Sequence, residues 1–66
     1  MNNNGEITAY EFYRRIRNGE DRFIGTLPER RKDPERITYA SIMNWPKTIV
    51  PEDVLSGRIY FVLVKI

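Results

Sequence analysis

The chain has 66 residues, 11 basic and 9 acidic side chains, a net charge of +2, and neither cysteine nor histidine. A single domain of this size buries only roughly 60% of the surface its unfolded chain exposes, and without cysteine no disulfide can reinforce it. The same two absences weigh against an enzyme, since histidine is the usual general base near neutral pH and cysteine the most reactive nucleophile.

No cofactor or metal is expected. There is no glycine-rich phosphate loop, no nucleophile elbow and no metal-ligand spacing, and Glu20-Asp21 and Glu52-Asp53 lack the spaced acidic loop that calcium requires. Met1 to Glu6 carry neither a basic nor an apolar leader segment, and no apolar run reaches the length of a membrane span. The expectation is a cytoplasmic protein with no membrane contact.

In chain order, residues 1–6 are polar and expected to fray. Thr8-Ala9-Tyr10-Glu11 reads as a capping box, with Ile7 and Phe12 spaced for a hydrophobic staple. Ala9, Phe12, Tyr13 and Ile16 recur at helical spacing, Arg14, Arg15 and Arg17 suit a C-terminal turn, and Gly19 a left-handed stop. These signals predict a helix over Ala9–Arg17, with Tyr10 and Arg14 stacked on its exposed side.

Arg22 to Leu27 reads as a strand in which Gly25 marks a bulge or a close approach of backbone. Residues 28–36 form a polar loop. Asp33-Pro34-Glu35 is a helix start, and the segment to Asn44 fits either a helix or, with Ile37, Tyr39, Met43 and Trp45 on one side, a broken strand. The helix is favoured, ended by Trp45-Pro46 because a residue before proline avoids helical angles. Pro46 to Val50 is expected to be extended, Pro51 to Leu55 to make one helical turn stopped near Gly57, and Arg58 to Ile66 to be a strand. In that strand Ile59, Phe61 and Leu63 share one face and Tyr60, Val62, Val64 and Ile66 the other.

The fold class expected is α+β in a single domain, 1–66: a small antiparallel sheet that includes the C-terminal strand, packed by an N-terminal capped helix and a second helix. The expected core is Ile7, Phe12, Ile16, Phe23, Leu27, Ile37, Ile42, Val54, Leu55, Ile59, Phe61 and Leu63.

Two functional readings compete. The first is a non-enzymatic interaction module with a protein partner or a second copy of itself, because the doubly apolar terminal strand needs cover on both sides. Its candidate interface is Trp45, Tyr60, Val62 and Val64. The second is a small nucleic-acid-binding protein using Arg14, Arg15, Arg30, Arg31, Lys32 and Arg36, in keeping with an isoelectric point of about 9.2. Interleaved Glu20, Asp21, Glu29, Asp33 and Glu35 argue for a solvated, ion-paired surface and place this reading second. Trp45 suits either the core or an interface anchor.

Overall fold

The computed structural model describes residues 8–65, with only the backbone of Asn18. Ile7 and the segment 1–6 lie outside the described residues. The fold is α+β: a three-stranded antiparallel sheet in the order β2-β1-β3, with two helices on one side. The strands are β1 (Thr8–Arg15), β2 (Asp21–Pro28) and β3 (Ile59–Lys65); the helices are α1 (Tyr39–Ile49) and α2 (Pro51–Leu55). The sheet includes the C-terminal strand, as the sequence led one to expect.

The segment expected to be a capped helix is instead the central strand. Tyr10, Phe12 and Arg14 face the helices while Glu11, Tyr13 and Arg15 face away, and seven residues of β1 pair on each side. Aromatic side chains lose rotamer freedom in a helix and gain cross-strand partners in a sheet, so non-local pairing overrides the local start signals. Glu11, the expected capping acid, accepts a hydrogen bond from the Tyr13 hydroxyl at 3.0 Å. Tyr10, expected on an exposed helix face, is buried with Phe12 in the core.

The β1–β2 hairpin turns through the short helical segment Arg17–Gly19, where Gly19 has φ +75. Its register slips between Phe12 and Tyr13, whose partners are Gly25 and Phe23, so Ile24 is an extra residue in β2. Both readings of Gly25 hold, since the Trp45 ring lies so close over it that a Cβ there would stand 2.7 Å from Cη2.

Asp33 caps only a short 3-10 turn, Pro34–Arg36, accepting from the Glu35 amide. The α1 helix starts later, at a capping box made by Thr38 and Ser41: Thr38 Oγ1 accepts from the Ser41 amide and Ser41 Oγ from the Thr38 amide. It also runs further than expected, straight through Trp45 and Pro46. Proline costs the helix one backbone bond, but Pro46 is fully buried against the sheet side, and the apolar area it removes from water offsets that loss. Residues 46–49 are therefore helical, not extended. Val50 ends α1 and starts α2, and Gly57 at φ +77 turns the chain into β3.

The core is Tyr10, Phe12, Ile42, Met43 and Ile59, with Ile24, Leu27, Ile37, Trp45, Val50, Val54 and Phe61 packed against it. Three expected core residues are exposed: Leu55 (83%) at the end of α2, Leu63 (61%) beyond the helical cover, and Phe23 (53%) on the far side of the sheet. Trp45, half-buried with its ring centroid 5.2 Å from that of Phe12, packs against the core.

Candidate functional site

Both helices lie on the Tyr10-Phe12-Arg14 side of the sheet, so neither covers the other side. Across that open side runs a row of rings, one from each strand. Tyr13 in the centre stacks on Tyr60 of β3 at 5.4 Å with 18° between planes, and meets Phe23 of β2 edge-on at 5.6 Å. Alternation alone builds the row: Tyr13 pairs with Phe23 on one side and Tyr60 on the other.

Carboxylates hold the two phenols. The Tyr60 hydroxyl donates to Asp21 Oδ2 and the Tyr13 hydroxyl to Glu11. Each acceptor raises the phenol's pKa, with desolvation adding in the same direction, so both rings stay neutral at physiological pH. Two residues along β1 from Tyr13, the Arg15 guanidinium sits 4.9 Å over the Tyr60 ring.

Beyond the row the three strands end in a cleft of about 330 Å³ lined by Arg14, Arg15, Ile16, Arg17, Arg22 and Arg58. Five arginines line it because the antiparallel pairing brings the last residues of β1 and its turn beside the first of β2 and the residue preceding β3; Arg14 and Arg22 share the helix-facing side of the sheet, while Arg15 lies on the open side over Tyr60. Arg14 stands opposite Arg22, and the Arg15 amide bonds to the Arg58 carbonyl at 2.8 Å. Among the described residues only one of the five has a carboxylate partner, Arg14, whose Nε is 3.4 Å from Asp53 Oδ2. That Nε is buried without a hydrogen bond. Arg15, Arg17, Arg22 and Arg58 are exposed.

The basic loop, whose Arg30, Arg31 and Lys32 are among the candidate anion-binding residues, is a different object at the opposite end of the sheet. Arg31 is locked in place: Nη2 and Nε bind the two oxygens of Glu29 at 2.6 and 2.9 Å, and Nη1 donates to the Arg36 carbonyl and to Ser41 Oγ. Glu29 also accepts from the Tyr10 hydroxyl at 2.7 Å. These bonds, Arg31's first among them, hold the Glu29 carboxyl down at about 2. Arg30, Lys32 and Arg36 are exposed around this knot, and Arg36 contributes its carbonyl.

The structure therefore brings Arg14 and Arg15 together and separates them from Arg30, Arg31, Lys32 and Arg36. Of the candidate interface residues, Tyr60 belongs to the ring row, Val62 is exposed on the same open side, and Val64 is half-buried. Arg17, Arg22, Arg58, Tyr13 and Phe23 complete the site and were not on the sequence's candidate list. Reading residues 8–15 with a period of two would have put Tyr13 and Arg15 on one face. Among the described residues no group of three or more acidic side chains is placed to hold a metal ion.

No protein-family model matches this chain, and neither the curated proteins nor the solved structures contain a match to it.

Proposed function

We propose that this chain is a non-enzymatic binding module for single-stranded nucleic acid. The observation that supports it is the juxtaposition of the Tyr60-Tyr13-Phe23 row with a cleft lined by five arginines. Sequence order ranks a protein partner first because acids interleave with the arginines. In space the acids divide differently: Asp21 and Glu11 are occupied by phenols and Asp53 by Arg14, which leaves four arginines without carboxylate partners among the described residues.

In this reading unpaired bases stack on the rings, each stack contributing ~1–3 kcal/mol. The guanidinium groups contact the phosphates of the same strand, for which their planar fork is suited. A duplex hides its base faces and offers only its backbone, so single strands bind more tightly. Nothing in the row reads base edges, and sequence preference is weak.

The test is a salt titration with fluorescent oligodeoxythymidine, comparing wild type with Arg17→Ala/Arg22→Ala/Arg58→Ala. Removing three phosphate contacts should lower the slope of log K against log salt by about 2, at ~0.7 per phosphate for a single strand. Tyr13→Ala should weaken binding without changing that slope. Equal slopes and affinities for wild type and the triple variant would refute the assignment.

A further inference from the structure

The two outer strands of the sheet end in edges built differently. The β2 edge is defended: Ile24 makes a bulge, Gly25 interrupts the side-chain surface, Asp21 and Arg22 carry charge, and Pro28 closes the strand without an amide donor. The β3 edge has none of these devices. From Ile59 to Val64 there is no charge, no glycine, no proline and no register slip. Val62 (45%) and Leu63 (61%) stand exposed on its two faces.

The ladder fixes which groups that edge presents. The Arg15 amide bonds to the Arg58 carbonyl, and antiparallel pairs alternate between hydrogen-bonded and non-hydrogen-bonded. Tyr60, Val62 and Val64 therefore direct their backbone groups at β1, while Ile59, Phe61 and Leu63 direct theirs outward. Among the described residues no backbone group pairs with these three.

We infer that β3 pairs antiparallel with β3 of a second copy across a two-fold axis, joining two sheets into one of six strands. A strand edge is completed by another strand, and this one is self-complementary. The outward residues recur at every second position, so a symmetric register exists in which Phe61 faces Leu63, Ile59 faces Lys65, and Val62 faces Val62 on the axis. That register uses the whole of β3. Its centre carries no charge, so two copies that are each net positive do not repel where they meet. The exposed Val62 then lies beside Val62 of the other copy and the exposed Leu63 beside its Phe61, one pair on each face of the sheet. The two open faces with their ring rows come to lie on the same side. This pairing does not depend on the nucleic-acid reading.

The register makes a sharp test possible in a chain without cysteine. Non-hydrogen-bonded antiparallel partners have Cα atoms about 4.5 Å apart, inside the range a disulfide spans. Val62→Cys should convert to a covalent dimer under oxidised glutathione, while Thr26→Cys, exposed on the same side of the sheet in β2, should not. Sedimentation of the wild type should show a concentration-dependent dimer, and Leu63→Lys a monomer with an unchanged far-ultraviolet spectrum. Cross-linking of Val62→Cys no faster than that of Thr26→Cys, or a wild type that remains monomeric at every concentration, would overturn the pairing.

Discussion

The two groups of basic residues differ in what surrounds them. Around the loop, Arg31 spends its donors on Glu29, Ser41 and the Arg36 carbonyl, and through Glu29 reaches the buried Tyr10. It fastens the polar connection to the sheet and to the start of α1. At the other end, Arg14, Arg15 and Arg17 from the end of β1 and its turn line one cleft with Arg22 of β2 and the sequence-distant Arg58, and four of the five have no carboxylate partner among the described residues. Within the basic run Arg30-Arg31-Lys32, Arg31 is thus tied into the architecture, whereas Arg15, Arg17, Arg22 and Arg58 at the cleft are exposed without carboxylate partners among the described residues. Strand pairing, not position along the chain, brings Arg22 opposite Arg14 and Arg58 beside Arg15.

That contrast can be broken by exchanging roles. Arg31→Ala should lower the denaturation midpoint clearly, because it strips the charged partner from Glu29 and frees the loop. Arg22→Ala, at an exposed site, should leave stability within about 0.5 kcal/mol. Binding of oligonucleotide should show the reverse order. An Arg22→Ala variant less stable than Arg31→Ala would mean that the cleft, not the loop, is the structural element.

The acid limb of the stability curve sharpens the same point. Glu29 is lowered from 4.5 to about 2 in the folded chain, so its contribution is present above about pH 4.5 and is lost as pH falls from there toward 2. Urea midpoints should fall over that window in the wild type and more shallowly in Glu29→Gln. Equal slopes would show that the knot does not form in solution. Tyr10→Phe removes one hydrogen bond to the same carboxylate and should cost about 1 kcal/mol.

Smaller effects separate the two helix-start signals. Thr38→Ala removes the acceptor for the Ser41 amide and should cost on the order of 1 kcal/mol. Thr8→Ala should cost less, since Thr8 opens a strand. A larger loss at Thr8 than at Thr38 would reinstate the N-terminal cap.

Those two threonines also mark where the sequence could be read. The terminal strand, the Phe23 strand, the Pro51 turn, the role of Gly25 and the α+β class were legible because runs of β-branched and aromatic residues bounded by turn residues leave few alternatives. Residues 8–15 were not. Ala9, Phe12, Tyr13 and Ile16 make a helical stripe as readily as Tyr10 and Phe12 make a strand face, and only the two neighbouring strands resolve the ambiguity. The extension of α1 past Trp45 was hidden for a similar reason, since burial of Pro46 is a tertiary fact that outweighs a local preference. The site inherits the first of these errors. Tyr13 and Phe23 looked like core while residues 8–15 read as a helix, and the meeting of Arg58 with Arg15 exists only when β1 lies beside β3.

The most direct measurement is the mapping of backbone amide shifts while the protein is titrated with oligodeoxythymidine. The expected result is that Tyr13, Arg15, Phe23 and Tyr60 move together and saturate with one affinity, while Arg31 and Ser41 stay still. Shifts confined to the loop around Arg31, or none at saturating oligonucleotide, would contradict the assignment of nucleic-acid binding to the open side of the sheet and its arginine cleft.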